Sequence, residues 1–295
     1  MNVRTRLRAG MRAIAPATVL LLSVTGAASA QQTGDPAAPS PTTAQESQPK
    51  VNERAVDPAQ PDFTLIGLPT TLRMPKYASA FRVTHRFTRS LGEGDFSDLL
   101  GNAFGVDGGA QVGLEYRFGI LSGTQIGIHR TSDRTIQLFL QHQLVRQGEQ
   151  LPVTVDVIAT AEGTNNFRDV YSPAIGAVLS RAFGRHGAAY VHPIWINNTN
   201  AIPSELADEN NSFVIGLGGR VRVRPTVYLV AEAAPRFGYD PDSTYVSFAI
   251  EKRAGGHSFQ INFSNGFGTT LAQIARGGAE YDTWYLGFNI TRKFF

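Results

Sequence analysis

The residues best suited to acid–base or metal chemistry are six histidines, at positions 85, 129, 142, 186, 192 and 257. Histidines that bind one metal ion from a single strand or helix recur at short spacings such as HxH or HxxxH, and no pair in this chain has such a spacing. The chain also has no cysteine, which excludes thiolate metal sites and disulfide bonds. The sequence therefore predicts no metal site and no cofactor.

A second group of reactive residues is charged and occupies alternate positions within otherwise apolar segments. Cations and anions in the group are equal in number, and charges held away from water are costly unless they are paired. We therefore expect these side chains to share one polar face of the protein. The members are Arg82, Arg86, Glu115, Arg117, Asp156, Glu162, Arg220, Arg222, Glu232 and Glu251.

The elements that carry these charges are predicted to be β-strands, because apolar and polar residues alternate from about residue 77 onward. In the first segment, Phe81, Val83 and His85 alternate with arginines and a threonine. One apolar and one polar face over roughly ten residues is typical of a strand that crosses a membrane within a barrel. The predicted strands cover about 81–88, 111–118, 124–131, 135–146, 152–162, 171–183, 188–197, 212–224, 226–236, 244–252, 257–264 and 283–294.

The links between the predicted strands alternate in length. The short ones cover 121–123, 147–149, 184–187, 224–225 and 254–256, and the long ones cover 90–108, 163–170, 198–211 and 265–282. The short link at Ser132 and Asp133 is an exception. Bacterial barrels have short periplasmic turns and long extracellular loops, whereas a soluble β-sandwich, the alternative with this composition, has no reason for the alternation. The sequence therefore predicts an all-β fold, a transmembrane antiparallel β-barrel of about twelve strands.

The amino-terminal residues predict export. Residues 1–30 combine four arginines, an apolar stretch and small residues before Gln31, as in a signal peptide. Removing these arginines changes the net charge of +3 to about −1, which argues against nucleic-acid binding. Residues 31–62, rich in Pro, Ala, Thr and Gln, predict a disordered periplasmic tail or, alternatively, a proline-stiffened linker with a partner-binding motif. The predicted barrel domain is then 63–295.

The last strand predicts the compartment. Outer-membrane barrels are commonly inserted through a terminal strand that ends in Phe, with the barrel-assembly machinery and outer-membrane lipids as partners. Here the apolar parity ends one residue early, so the final residue is either extra or the sign of a bulge. The predicted membrane-insertion signal consists of Trp284, Leu286, Phe288, Ile290, Phe294 and Phe295.

The polar face of such a barrel places the charged group in the lumen. There the charges either form cross-barrel ion pairs or form a ring that screens a charged solute. Twelve strands leave an interior between that of filled and open barrels, and Phe139, Tyr190 and Tyr228 would narrow it. The segment 95–104 has helical spacing with Asp95 as a candidate N-cap, and it predicts a partial plug or a helix on the rim.

One segment resembles the catalytic serine of outer-membrane phospholipases. Phe263-Ser264-Asn265-Gly266 is similar to the Ser-Asn-Gly of those enzymes, which act from the outer wall of a twelve-stranded barrel with a His–Ser pair. In those enzymes the histidine lies two residues before the serine, where this chain has Asn262. The base is missing, and we do not expect an enzyme.

Several short motifs, in order along the chain, resemble the outer-membrane β-barrel family called domain of unknown function 5777. The similarity covers about 63–295, with Val106 and His129 standing where the family suggests Leu and Gly. It implies an outer-membrane barrel without an established activity, so no catalytic residue is carried over. The motifs are His85-Arg86-Phe87, Phe104-Gly105-Val106-Asp107, Leu114-Glu115-Tyr116, Ile128-His129-Arg130-Thr131-Ser132, Leu144-Val145-Arg146-Gln147 and Leu151-Pro152-Val153.

The sequence supports two main functions for a barrel in the outer membrane. The first is passive or weakly selective passage of a small solute. The alternative is a closed structural or scaffold barrel that anchors periplasmic or surface partners through its tail and loops. A lipid hydrolase is a distant third.

Overall fold

The computed structural model describes residues 56–101, 108–200, 210–239 and 243–295. The predicted signal peptide and residues 31–55 of the predicted tail lie outside these ranges, as do residues 102–104 of the predicted loop helix. None of the helices within the described ranges is long and apolar enough to span a membrane.

The described residues form one antiparallel sheet of thirteen strands. One crossing of the barrel wall, residues 227–238, is divided at Pro235 into two strands, and both of them pair with β8. The strands are β1 (Ser79–Phe87), β2 (Ala110–Leu121), β3 (Thr124–Thr131), β4 (Ile136–Val145), β5 (Thr154–Gly163), β6 (Tyr171–Ala182), β7 (Gly187–Ile196), β8 (Ser212–Arg224), β9 (Val227–Ala234), β10 (Arg236–Gly238), β11 (Tyr245–Ala254), β12 (His257–Ser264) and β13 (Tyr285–Phe294).

The sheet closes on itself. Strands β1 to β8 pair in chain order, β8 pairs with β9, β9 with β11, β11 with β12, β12 with β13, and β13 returns to β1. Because β9 and β10 belong to one crossing, the barrel has twelve strands around its circumference. The predicted fold class and strand number are confirmed.

The two faces of the wall differ as the alternation requires. In β4, Gln137, Phe139 and Gln141 are buried and face inward, whereas Leu138 and Leu140 between them are exposed on the outside. Outward apolar side chains meet lipid and inward polar side chains meet one another, which is the arrangement of a membrane barrel.

The links are also of two kinds. The turns at residues 122–123, 183–186, 225–226 and 255–256 are short and lie at the end where β1 begins and β13 finishes, which we assign as the periplasmic end. The fifth link at this end, predicted to cover 147–149, is longer and runs over 146–153. The long links at the opposite, extracellular end contain α1 (Phe96–Gly101), α2 (Thr164–Phe167) and α3 (Leu271–Ala275). The turn α2 is not a regular helix, because Asn165 and Asn166 have positive φ.

Candidate functional site

The lumen is occupied by the chain itself. Residues 57–74, which we name the strap, form a hairpin in which the Thr70 N–H donates to the Phe63 carbonyl at 2.9 Å and the Leu65 N–H donates to the Leu68 carbonyl at 2.8 Å. The strap leaves the lumen at the periplasmic end, where the Gly123 N–H donates to the Met74 carbonyl. The hairpin therefore enters from the periplasm and turns inside the barrel. Its larger buried apolar side chains are Phe63, Leu65, Ile66, Leu68, Leu72 and Met74.

The predicted boundary between tail and barrel, at 62/63, falls inside the strap. Ala59, Gln60 and Asp62 belong to the predicted tail by composition, yet their side chains are buried. Gln60 accepts a hydrogen bond from the Tyr190 hydroxyl, and Asp62 lies 3.7 Å from the Lys293 ammonium. Contacts with the barrel wall determine where these residues lie, and the local sequence pattern does not.

One carboxylate of the wall binds the tip of the strap. The buried Glu232 of β9 accepts hydrogen bonds from the backbone N–H groups of Ile66, Gly67 and Leu68, at 3.0, 2.7 and 3.0 Å. Three consecutive N–H groups that point at one anion make a favourable site for a carboxylate. Hydrogen bonds to a charged acceptor are also the stronger kind. Glu232 is therefore the main anchor of the tip.

The carbonyls of the strap are bound by polar side chains from many strands. Arg82 of β1 donates to the Ile66 carbonyl and to the Thr64 hydroxyl, and Arg220 of β8 donates to the Thr64 carbonyl at 2.8 Å. Further donors to strap carbonyls are Gln141 to Thr70, Gln260 to Leu65 and Asn289 to Ile66, while His192 contacts the Pro69 carbonyl at 2.7 Å. The hydrogen bonds around the circumference hold the strap in one position.

The lumen is closed from the extracellular side as well. All five residues of α3 are buried, and Thr270 and Gln273 form a capping box at its start. Gly67 of the strap lies directly under α3, because a Cβ added there would be 2.5 Å from Ile274 Cδ1. Beside the strap, a cavity lined in part by Arg82 and Glu115 has a volume of about 20 Å³, room for roughly one water molecule.

Nine of the ten charged residues predicted to line the lumen are buried and face it: Arg82, Arg86, Glu115, Arg117, Asp156, Glu162, Arg220, Glu232 and Glu251. Arg222 differs from them in burial. It is half-buried at the periplasmic end of β8, where its guanidinium donates to the Pro225 carbonyl.

The ion pairs follow the wall of the barrel: Arg117–Glu115 lies within β2, Arg82–Glu115 joins neighbouring strands, and Arg220–Glu251 joins β8 to β11 past the intervening β9. Arg82 of β1 is bonded to Glu115, its register partner on β2, and Arg117 is bonded to the same carboxylate. Arg220 donates to Glu251 at 2.9 Å. These contacts pair part of the lumenal charge, and the strap accepts further hydrogen bonds from Arg82 and Arg220.

The remaining charged residues bind other groups. Asp156 accepts from Gln141 at 2.7 Å, and Arg86 donates to Asn289 Oδ1 at 2.9 Å. Glu162 faces Arg276, which follows α3, at 3.7 Å. Glu162 thereby helps to hold the extracellular loop in the lumen.

The loop helix predicted at 95–104 is not part of the structure that fills the lumen. Within the described residues, α1 is exposed at Ser97, Asp98 and Leu100, which corresponds to the predicted rim helix and not to the plug. The N-cap is confirmed, since Asp95 accepts from the Asp98 N–H at 2.9 Å. Hydrogen bonding, chiefly to the Ser97 hydroxyl, lowers the pKa of Asp95 below its ordinary value.

The carboxyl terminus also touches the strap. Phe294 is exposed on the outer face, and the register of β13 with β1 runs without a bulge to this residue. Phe295 instead packs against Phe63 of the strap, with the ring centroids 6.3 Å apart. The apolar positions from Leu286 to Phe294 face outward as expected. The additional aromatic residue, Phe295, contacts the strap at Phe63.

The residues considered for catalysis are not assembled into a site. Ser264 is buried and donates to the Gly266 carbonyl at 2.6 Å, and Asn262 two residues earlier is buried on the same inner face. Among the residues that the structure describes, no group of three or more His, Cys, Asp or Glu side chains is arranged to hold a metal ion.

The sequence of the barrel matches a family model described as a membrane-bound beta barrel domain (DUF5777), over residues 62–294. The chain belongs to this family. The match begins within the strap, so the strap from Asp62 onward is part of the family domain. The barrel is therefore an outer-membrane protein, as its terminal strand and its links predict.

Three solved structures illustrate what the chain resembles at low sequence identity. The NanC porin covers 74% of this chain and 99% of its own at 8% identity, with a TM-score of 0.49. Omp33 of Acinetobacter baumannii has 10% identity, the same coverage and a TM-score of 0.43. Outer membrane phospholipase A from Escherichia coli has 10% identity, covers 74% of this chain and 90% of its own, and has a TM-score of 0.41. At these values none bears on the activity of this chain. No curated protein sequence matches it.

Proposed function

We propose that the protein is a closed scaffold barrel of the outer membrane, which anchors its amino-terminal segment at the periplasmic face. The observation that carries this proposal is the strap, which fills the lumen and is bound by Glu232 and by donors from several strands. A hairpin that is hydrogen-bonded to strands around the barrel is the arrangement expected of an anchor, whereas an open pore requires an empty lumen. Since the strap enters at the periplasmic end, we propose that a periplasmic partner binds the residues that precede it.

The test is single-channel recording of the purified full chain in planar bilayers. We expect silence, because the strap and α3 leave room for roughly one water molecule beside Arg82 and Glu115. Steady openings would overturn the proposal in favour of passive passage. Correct folding of the silent protein is checked by its shifted mobility in an unboiled detergent gel.

A second candidate is passage of a small solute after the strap moves. The observation that favours it is the inner face of the wall behind the strap, which is polar and charged. A barrel that is always filled needs no polar lining, whereas a barrel that admits water does. Rare, brief openings in the same recordings would support this candidate, since they would report transient displacement of the strap.

We also propose that the protein is not a lipid hydrolase. The proposal is supported by the inward burial of Ser264 and by Asn262 at the position of the histidine. In an assay on mixed phospholipid micelles, we expect the same background rate from the full chain and from Ser264→Ala. A rate that falls with Ser264→Ala would contradict this expectation.

A further inference from the structure

The periplasmic rim of the barrel has a basic groove. Two turns form it, the β6–β7 turn at Gly184–His186 and the β8–β9 turn after Arg224, and its volume is about 490 Å³. The backbone N–H of Arg222 donates to the His186 carbonyl at 2.7 Å and joins the two turns. The groove is therefore formed by turns that are hydrogen-bonded to each other.

Three arginines line this groove. Its seven lining residues include Arg185, Arg222 and Arg224 as well as His186, and they include no carboxylate. Arg222 donates to the neutral Pro225 carbonyl, which leaves its positive charge uncompensated. Such a site suits a phosphate group, since arginine binds phosphate oxygens through paired N–H donors.

The charge of the groove fits the distribution over the whole barrel. The periplasmic turns contain one acid, Glu149, while the cations at this end are Arg146, Arg181, Arg185, Arg224, Lys252 and Arg253. The described extracellular links instead carry seven acids, Glu93, Asp95, Asp98, Asp133, Asp169, Glu280 and Asp282, against four arginines, Arg89, Arg134, Arg168 and Arg276. Cations therefore outnumber acids at the periplasmic rim, which meets the inner leaflet, and acids outnumber cations in the described extracellular links.

The outer wall beside the groove is apolar. Val223 lines the groove and is 49% exposed, and Val221 and Phe183 next to it are 58% and 54% exposed. A ligand in this position meets guanidinium groups on one side and hydrocarbon on the other. A phospholipid has this polarity, whereas a free phosphate ion or a soluble sugar phosphate uses only the polar half.

We propose that the groove formed by Arg185, Arg222 and Arg224 binds the phosphate of an anionic phospholipid from the inner leaflet of the outer membrane. The phosphodiester accepts hydrogen bonds from the guanidinium groups, and one acyl chain lies along Val223 and Val221. Each guanidinium at an anionic lipid surface is expected to strengthen binding roughly fivefold.

The test compares lipid retention in nanodiscs of phosphatidylethanolamine that contain a minor fraction of phosphatidylglycerol. The full chain is extracted, and the retained phosphatidylglycerol is counted by native mass spectrometry. The variant is Arg185→Gln with Arg224→Gln, two side chains exposed at the rim. The matched control is Arg134→Gln with Arg168→Gln, which removes the same charge from exposed extracellular positions. Shifted gel mobility confirms that both variants fold.

We expect the full chain and the control to retain phosphatidylglycerol above its bulk fraction, and the rim variant to bind it roughly 25-fold more weakly. Equal retention by the rim variant and the control, or no enrichment by the full chain, would overturn the proposal. A third arm titrates soluble glycerol phosphate into pure phosphatidylethanolamine nanodiscs. Binding there that matches the lipid in strength would assign the groove to a soluble phosphate and reject the lipid.

Discussion

A variant that lacks residues 57–74 is expected to carry a steady ionic current in a planar bilayer where the full chain is silent. The strap enters and leaves at the periplasmic end, so its removal joins two neighbouring points and leaves the sheet closed. Water then fills the space that Leu65, Ile66 and Leu68 occupied. The wall retains similar numbers of cations and anions, so the current should be only weakly selective between ions of opposite sign.

The same deletion should lower the temperature at which the folded gel band disappears. The deletion removes the contacts that the almost fully buried Phe63, Leu65 and Met74 make with the wall, although the conformational entropy that the strap no longer loses on folding offsets much of this loss. A net loss of a few kcal/mol corresponds to roughly 5–15 °C for a domain of this size. The control removes residues 31–55 from the predicted tail and should stay silent with an unchanged melting temperature. A silent strapless barrel would mean that α3 alone seals the lumen, contrary to this prediction.

The barrel could be predicted from sequence because lipid imposes its pattern residue by residue. In β5, Val155 and Val157 face outward while Thr154 and Asp156 face inward, and the same rule repeats in every crossing. The short and long links then fix the two ends. Each of these signals is local, lying within one strand or one turn.

The strap could not be predicted because nothing local holds it. Its prolines, Pro58, Pro61 and Pro69, interrupt any strand ladder, and its anchors are remote in sequence, such as Glu232 at 166 positions from Ile66. A signal was nevertheless present. The apolar run at 63–68 differs from the polar tail before it, and an inward carboxylate such as Glu232 requires a partner that its neighbouring strands do not supply.

The sequence predicted which charged residues face the lumen, but it did not predict which of them pair with each other. Arg82 and Glu115 are register partners on adjacent strands, and knowing that register would have paired them. Glu162, by contrast, faces Arg276 of the extracellular loop, and loop paths are not contained in strand periodicity. The inward direction of a side chain is a local property, whereas its partner is not.

Replacement of Glu232 by glutamine is expected to produce intermittent openings in bilayer recordings. The carboxylate now accepts from Ile66 and Leu68 through Oε2 and from Gly67 through Oε1. A carboxamide has one oxygen, so its NH₂ group would face a backbone N–H that has lost its acceptor. Hydrogen bonds to a charged group contribute about 1.5–3 kcal/mol each. The displaced tip should therefore become roughly 10²-fold more populated. The matched control is Glu149→Gln on an exposed periplasmic turn, which should remain silent.

A reversible lock separates movement of the strap from a leak through a damaged wall. The hydroxyl oxygens of Thr71 on the strap and Ser180 on β6 are 2.5 Å apart, so cysteines at both positions lie within reach of a disulfide. The chain has no other cysteine, and the oxidising periplasm allows the bond to form. In the Glu232→Gln background, the oxidised lock should abolish the openings and a reductant should restore them. Openings that persist through the oxidised lock would place the leak in the wall and reject Glu232 as the anchor of the tip.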